Sequence, residues 1–346
     1  MNKISISLII VITFFTTNIQ AQKFNSAIEY LNHIGEEYGK ISDDSWSYIR
    51  AAAHSNRARK IDKKRKELIT TVSNAKKRVS KLPAYNGNTA FRDAIINYLT
   101  IDYQVMTEDY AKIVDMEEIS EQSYDAMETY MTAKKMANEK LNKAADEVQL
   151  KQKIFAAENE ITLNESNSKR SEKIKKANKV YEHYNVMYLI FFKSYKQEAY
   201  LIDAMSKKDV GALEQNNNAL KQTSSEGLKK LSGVKTYKGD MTLVNATRNI
   251  FKFYQDESKN KVPKMIDFYL KKENFEKVQA SFDKIKESKR TQDDVDKFNN
   301  ALKEYNDGIN VYNSINDELN KNRSKMLNDW NKAADSFTNK HVPRGK

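Results

Sequence analysis

From Phe298 to Phe337 the inward positions of this chain follow one another at steps of three and four without a slip: Phe298, Leu302, Tyr305, Ile309, Tyr312, Asn316, Leu319, Arg323, Met326, Trp330, Ala333 and Phe337. Such spacing holds one row of side chains on a single helical face and gives it a coiled-coil-like seam. A second row behaves the same way through Ile174, Ala177, Tyr181, Tyr184, Tyr188, Phe191, Tyr195, Glu198, Ile202 and Met205. Shorter stripes run through Ile61, Leu68, Val72, Ala75, Val79 and Leu82, where Pro83 stops the helix, then through Phe91, Ile95, Tyr98, Val105, Met106, Tyr110 and Ile113. A third runs through Met127, Met131, Ala137, Leu141, Ala144, Val148 and Phe155. No alternating strand pattern competes, and 9 Gly and 3 Pro in 346 residues leave few places for turns. The expected fold is all-α, built from long amphipathic helices packed as antiparallel bundles.

Sliding the chain by 152 residues lays Lys77–Leu99 over Lys229–Phe251 without a gap. Lys77, Ser80, Tyr85, Gly87, Ala94 and Asn97 meet identical partners at Lys229, Ser232, Tyr237, Gly239, Ala246 and Asn249. Two related bundles of about four helices each are therefore expected, over residues 22–165 and 166–338, with a short basic tail at 339–346. In both, a Tyr-x-Gly link joins two helices, where the glycine can take a positive φ and the tyrosine can lie across the helix ends.

The first 21 residues read as an export signal. Lys3 supplies a positive start, Ile4 to Phe15 is an apolar run too short to span a bilayer, and cleavage is expected between Ala21 and Gln22. The chain has no cysteine, so neither a lipid anchor on cysteine nor a disulfide framework is available to it. The expected product is periplasmic, at the cell surface or outside the cell, not lipid-anchored, with no membrane span once the signal is gone.

Net charge is +12, and its densest source is Arg57, Arg59, Lys60, Lys63, Lys64, Arg65 and Lys66 with Asp62 among them. Such a face suits an acidic envelope polymer or a protein partner; an exported chain seldom meets nucleic acid. Pairing within the protein is the plainer alternative, because Glu108 to Glu128 is an acidic window that could lie beside the basic helix. Tyr181, Tyr184, Tyr188 and Tyr195, in register with Glu198, form either a polar-edged pocket for a sugar or small cation, or simply core whose hydroxyls need partners.

Enzymatic and metal motifs are missing from the sequence. His33, His54, His183 and His341 make no Glu-x-x-His pair, and there is no His-Glu-x-x-His, Gly-x-Ser-x-Gly or phosphate-binding glycine loop. Neither a metal nor a cofactor is expected. Any two of 47 acids could still meet in the fold, so a hydrolase with carboxylates between the bundles stays open, as does solute capture by the tyrosine seam.

The segments AIEYLNHIGEEYGKISDDSWSYIRAAAHSNRARKIDKKRKELI and EDYAKIVDMEEISEQSYDAMETYM resemble an uncharacterised family of exported helical bacterial surface proteins, over Phe24 to about Gln149. The resemblance implies export and a helical body and assigns no catalytic residue. Together these expectations describe an exported, non-catalytic helical envelope or surface module that binds a protein partner or an anionic envelope polymer.

Overall fold

The computed structural model describes residues 24–54, 58–163 and 169–344. Among these residues the chain is helical throughout, with no β-strand. The first half contains α1 (Ala27–His54), α2 (Ala58–Val79), α3 (Ala90–Gln104), α4 (Tyr110–Ser120) and α5 (Tyr124–Glu158). The second contains α6 (Lys169–Lys207), α7 (Val210–Ser232), α8 (Thr242–Asp256), α9 (Val262–Asp283) and α10 (Gln292–His341). A π-helical turn at Val105–Asp109 joins α3 to α4 in one rod, and another at Glu257–Lys261 joins α8 to α9. Each half is thus a set of four rods.

Several features of the two sets match at the offset of 152. The helices α3 and α8 start and end at equivalent positions, and both π turns fall at equivalent residues. The links match as well. The Tyr85 amide donates to the Asn88 carbonyl at 3.0 Å and the Asn88 amide returns to Tyr85 at 2.9 Å, around Asn86 (φ 49°) and Gly87 (φ 79°). Two consecutive positive φ values make this the mirror-image tight turn that asparagine and glycine favour. The equivalent link in the second set uses Lys238 (φ 51°) and Gly239 (φ 77°), so a lysine there occupies a conformation that costs it more than it costs Asn86. Asn88 Oδ1 then accepts from the Ala90 amide, and Asp240 Oδ1 from the Thr242 amide, each at 2.8 Å.

Each turn tyrosine lies where the helix ends meet. Tyr85 packs on Tyr30 and Phe155, while Tyr237 packs on His183, Phe337 and His341. Helix starts are closed by Ser123, Asp209 and Thr291, whose side chains accept from Ala126, Ala212 and Asp294 amides, with a full capping box at Thr291. The last helix does not stop at residue 338. It runs to His341, and Val342 beyond it is buried.

Two hydrophobic cores hold the rods together. The smaller lies within the first set and includes Tyr30, Ile34, Leu68, Val72, Phe91, Leu99 and Phe155. The larger fills the second set but also takes Trp46 from α1, Ile113 from α4, and Met127, Tyr130 and Ala137 from α5. The boundary drawn at residue 165 therefore crosses a shared core. Tyr200 of α6 also donates to the Gln122 carbonyl at 3.1 Å, and Arg170 pairs with Asp43. The polar link Asn164–Ser168, the signal at 1–21 and its cleavage point at Ala21 and Gln22 lie outside the described residues.

Candidate functional site

The densest buried chemistry lies where α6, α10 and the second π turn meet. Arg323 of α10 donates from Nε to Glu198 Oε1 of α6 at 3.1 Å and from Nη2 to Glu257 Oε1 in the π turn. Its Nη1 reaches Asn320 Oδ1 at 3.4 Å, and Nη2 lies 3.9 Å from Met205 Sδ. Glu198 is 2% exposed, Glu257 0% and Arg323 7%. The Tyr254 ring, fully buried one turn before Glu257, stands beside both carboxyls. Two buried acids thus share one guanidinium.

That stoichiometry decides the protonation. Burial raises the Glu198 carboxyl to about 8, the charge of Glu257 adds to the rise, and Arg323 opposes it. Burial also lifts Glu257, against the attraction of Arg323. A single cation cannot neutralise two desolvated carboxylates, so the trio retains a proton near neutral pH. Burial and the same two acids drive the Tyr254 hydroxyl well above the ordinary tyrosine range.

Placement follows from helix phase. Ile250, Tyr254, Glu257 and Ser258 continue one inward row of α8 into the π turn, so the rod drives an acid into the core. The extra backbone of that turn is partly tied down by Asn217 of α7, whose Nδ2 donates to the Ser258 carbonyl at 3.1 Å.

A second cluster, around a buried acid, lies in the first set. Asp102 of α3 is 3% exposed, and burial raises it to about 7. Its surroundings are tyrosines, Tyr38 from α1, Tyr98 from α3 and Tyr110 from α4, each pushed above the usual range, first by burial. A third cluster closes the last helix. Asp240 Oδ2 takes Lys340 Nζ and His341 Nε2, both at 2.8 Å. Although burial opposes it, these partners and Thr242 hold Asp240 well below the ordinary carboxylate range.

The tyrosine seam is packed as core. Tyr184 and Tyr188 stack with centroids 5.9 Å apart, Tyr188 stacks on Phe192 at 5.5 Å, and Tyr195 stacks on Phe191 at 5.5 Å. Phe191 in turn lies on Trp330 at 4.2 Å. Tyr181 joins the same cluster from its edge, and burial raises both Tyr181 and Tyr184 to about 12. Rings from α6 and α10 fill the space that a ligand beside Tyr188 would need. Glu198 belongs to the seam in register, but its partners are Arg323 and Glu257.

The basic helix is α2, and Arg57 lies outside the described residues. Arg59, Lys60, Lys63 and Lys66 are exposed, with Lys64 and Arg65 half-buried. Asp62 pairs with Arg65 at 3.1 Å and Lys66 at 2.7 Å, while Glu67 pairs with Lys64 at 2.5 Å and approaches Lys63 at 4.0 Å. Arg65 also donates to the Met106 carbonyl. Pairing is therefore local to the helix. The acidic window turns elsewhere, with Asp109 bound to Lys140 of α5 at 2.6 Å.

Among the described residues, no group of three or more His, Asp or Glu side chains is arranged to hold a metal ion, and no helix is long and apolar enough to cross a membrane. No family model matches the chain, and neither a curated protein nor a solved structure matches it.

Proposed function

We propose that the chain is an exported, non-catalytic helical module that holds an anionic envelope polymer against the outer face of α2. The observation that carries this reading is the exposed row Arg59, Lys60, Lys63, Lys66 and Lys77 on a helix that packs against α1 and α3 and turns its other side to solvent. Two acids, Asp62 and Glu67, answer six cations between Arg59 and Lys66, which leaves a surplus of positive charge along the face. A protein partner with an acidic helix would meet the same face.

The buried acids support a structural role. A hydrolase would need substrate to reach carboxyls that are sealed at 2% and 0% exposure and already clamped by Arg323. We also take the two four-rod sets as copies of one unit, on the strength of matching turns, π turns and helix limits at one offset.

The test is charge reversal at Lys60→Glu, Lys63→Glu and Lys77→Glu together. Retention on an immobilised phosphate-rich envelope polymer should weaken by at least about tenfold and lose its salt dependence, with helical circular dichroism unchanged. Equal retention of the variant and the parent chain would discard α2 as the binding face.

A further inference from the structure

The second set carries one addition that the first lacks. In the first, Glu121, Gln122 and Ser123 suffice to connect α4 to α5. In the second, α9 and α10 run on past the equivalent point as a helical hairpin before turning through Glu287–Lys289. The aromatic contacts fix the size of the insertion. Tyr85 meets Phe155, and its counterpart Tyr237 meets Phe337, so the offset rises from 152 residues to 182 across the connection and thirty residues have been added. The four-rod unit closes without them.

This arm is packed along its own seam but poorly covered. Phe268, Tyr305, Phe275, Phe298 and Phe282 interlock along it, with Phe275 flat on Tyr305 at 5.0 Å and Phe282 on Phe298 at 4.7 Å. The tip is fixed by Arg290, which lies 4.3 Å over the Phe282 ring, and by the capping box at Thr291. Yet no residue between 271 and 300 is buried, although the stretch carries Phe275, Val278, Phe282, Ile285, Val295 and Phe298. Two helices have no third surface to close their seam. An open groove of about 440 Å³ runs along one side, floored by Val278, Phe282, Ile285 and Ala301.

Charge indicates what covers it. Residues 264–307 carry ten Lys or Arg and ten Asp or Glu, so the whole surplus of +12 lies on the rest of the molecule. The groove rim repeats the balance, with Lys277 and Lys297, each also paired at the surface with an acid one turn away on its own helix, against Glu304 and the capping Asp294. A polyanion gains nothing from such a surface. A second arm meets no net repulsion there, and a two-fold axis can set each rim lysine against a rim acid of the other copy. We propose that two copies of this chain associate arm to arm, so that α9 and α10 of each complete a four-helix bundle. This dimer is independent of the polymer-binding face on α2.

Sedimentation of the mature chain should give twice the monomer mass at about 100 μM, a concentration that saturates a dimer with a Kd near 1 μM. Val278→Lys with Ile285→Lys should give a monomer with unchanged helical circular dichroism. Because the chain lacks cysteine, Ser281→Cys alone should form an intermolecular disulfide under mild oxidation, whereas Asn245→Cys on α8 should not. A monomeric parent chain would overturn the proposal. So would a dimer that persists in the lysine variant, or one that cross-links equally through Asn245→Cys.

Discussion

Arg323 is the shared partner of two buried acids, so the core absorbs its loss poorly. Removing it strands Glu198 and Glu257 together in a dry site, and breaking a buried ion pair from one side typically costs about 3–5 kcal/mol. Arg323→Met should lower the urea midpoint accordingly, and adding Glu198→Gln and Glu257→Gln should recover much of it. A loss below about 1 kcal/mol in the single variant would mean that the trio contributes little beyond packing. Asp102 makes a different prediction. A carboxyl raised to about 7 by burial binds its proton more tightly folded than unfolded. Its contribution is therefore complete below the unfolded value near 4 and lost as pH rises toward 7. The groups facing it, Tyr38, Tyr98 and Tyr110, stay neutral throughout that range. Thermal stability should thus decline from pH 5 to pH 8, and Asp102→Asn should flatten the decline and raise Tm at pH 8. A variant with the same slope as the parent chain would assign the pH dependence to Glu198 and Glu257 alone.

At the scale of the element, the helices were legible because their apolar rows are long and their turn residues few. The row from Ile174 to Met205 is α6, and that from Phe298 to Phe337 lies within α10. The Tyr-x-Gly links were legible too, since a glycine after a tyrosine between two helical rows has few other uses. The buried network was half visible. Glu198 and Arg323 stand in seam registers, so each could be singled out from its own row. Their meeting could not, because the two residues are 125 positions apart and nothing in a row says which neighbour it faces. Glu257 and Asp102 were missed, though each continues an inward row: Ile250, Tyr254, Glu257 on one rod, and Ile95, Leu99, Asp102, Met106 on the other. An acid in phase with a core stripe is a usable signal. The tyrosines of α6 illustrate the reverse, since their spacing fits a pocket wall and a ring stack equally well and only Trp330 from α10 decides between them. Periodicity also could not separate covered seam from open seam, which is why the arm passed as an ordinary length of helix.

At the scale of the molecule, the two sets are bound by a core that ignores the division between them. Trp46, Ile113, Met127 and Tyr130 belong to the first set by sequence and to the second by burial. Residues 22–163 expressed alone would bare this face, and the fragment is expected to bind a hydrophobic dye and to unfold without a sharp transition. A monomeric fragment with a cooperative melt and no dye binding would show that the first set folds by itself. Charge is divided differently, with a basic body and an arm of no net charge. Of the two π turns, the one between α8 and α9 sets how the arm is aimed. Each lodges a surplus residue in its rod, and one residue corresponds to about 100° of rotation about the helix axis. Beyond Lys261 every side chain of α9 is therefore clocked to a new azimuth, the one that brings Phe268 onto Tyr312. The rod works as a crankshaft, and a single amino acid sets its throw.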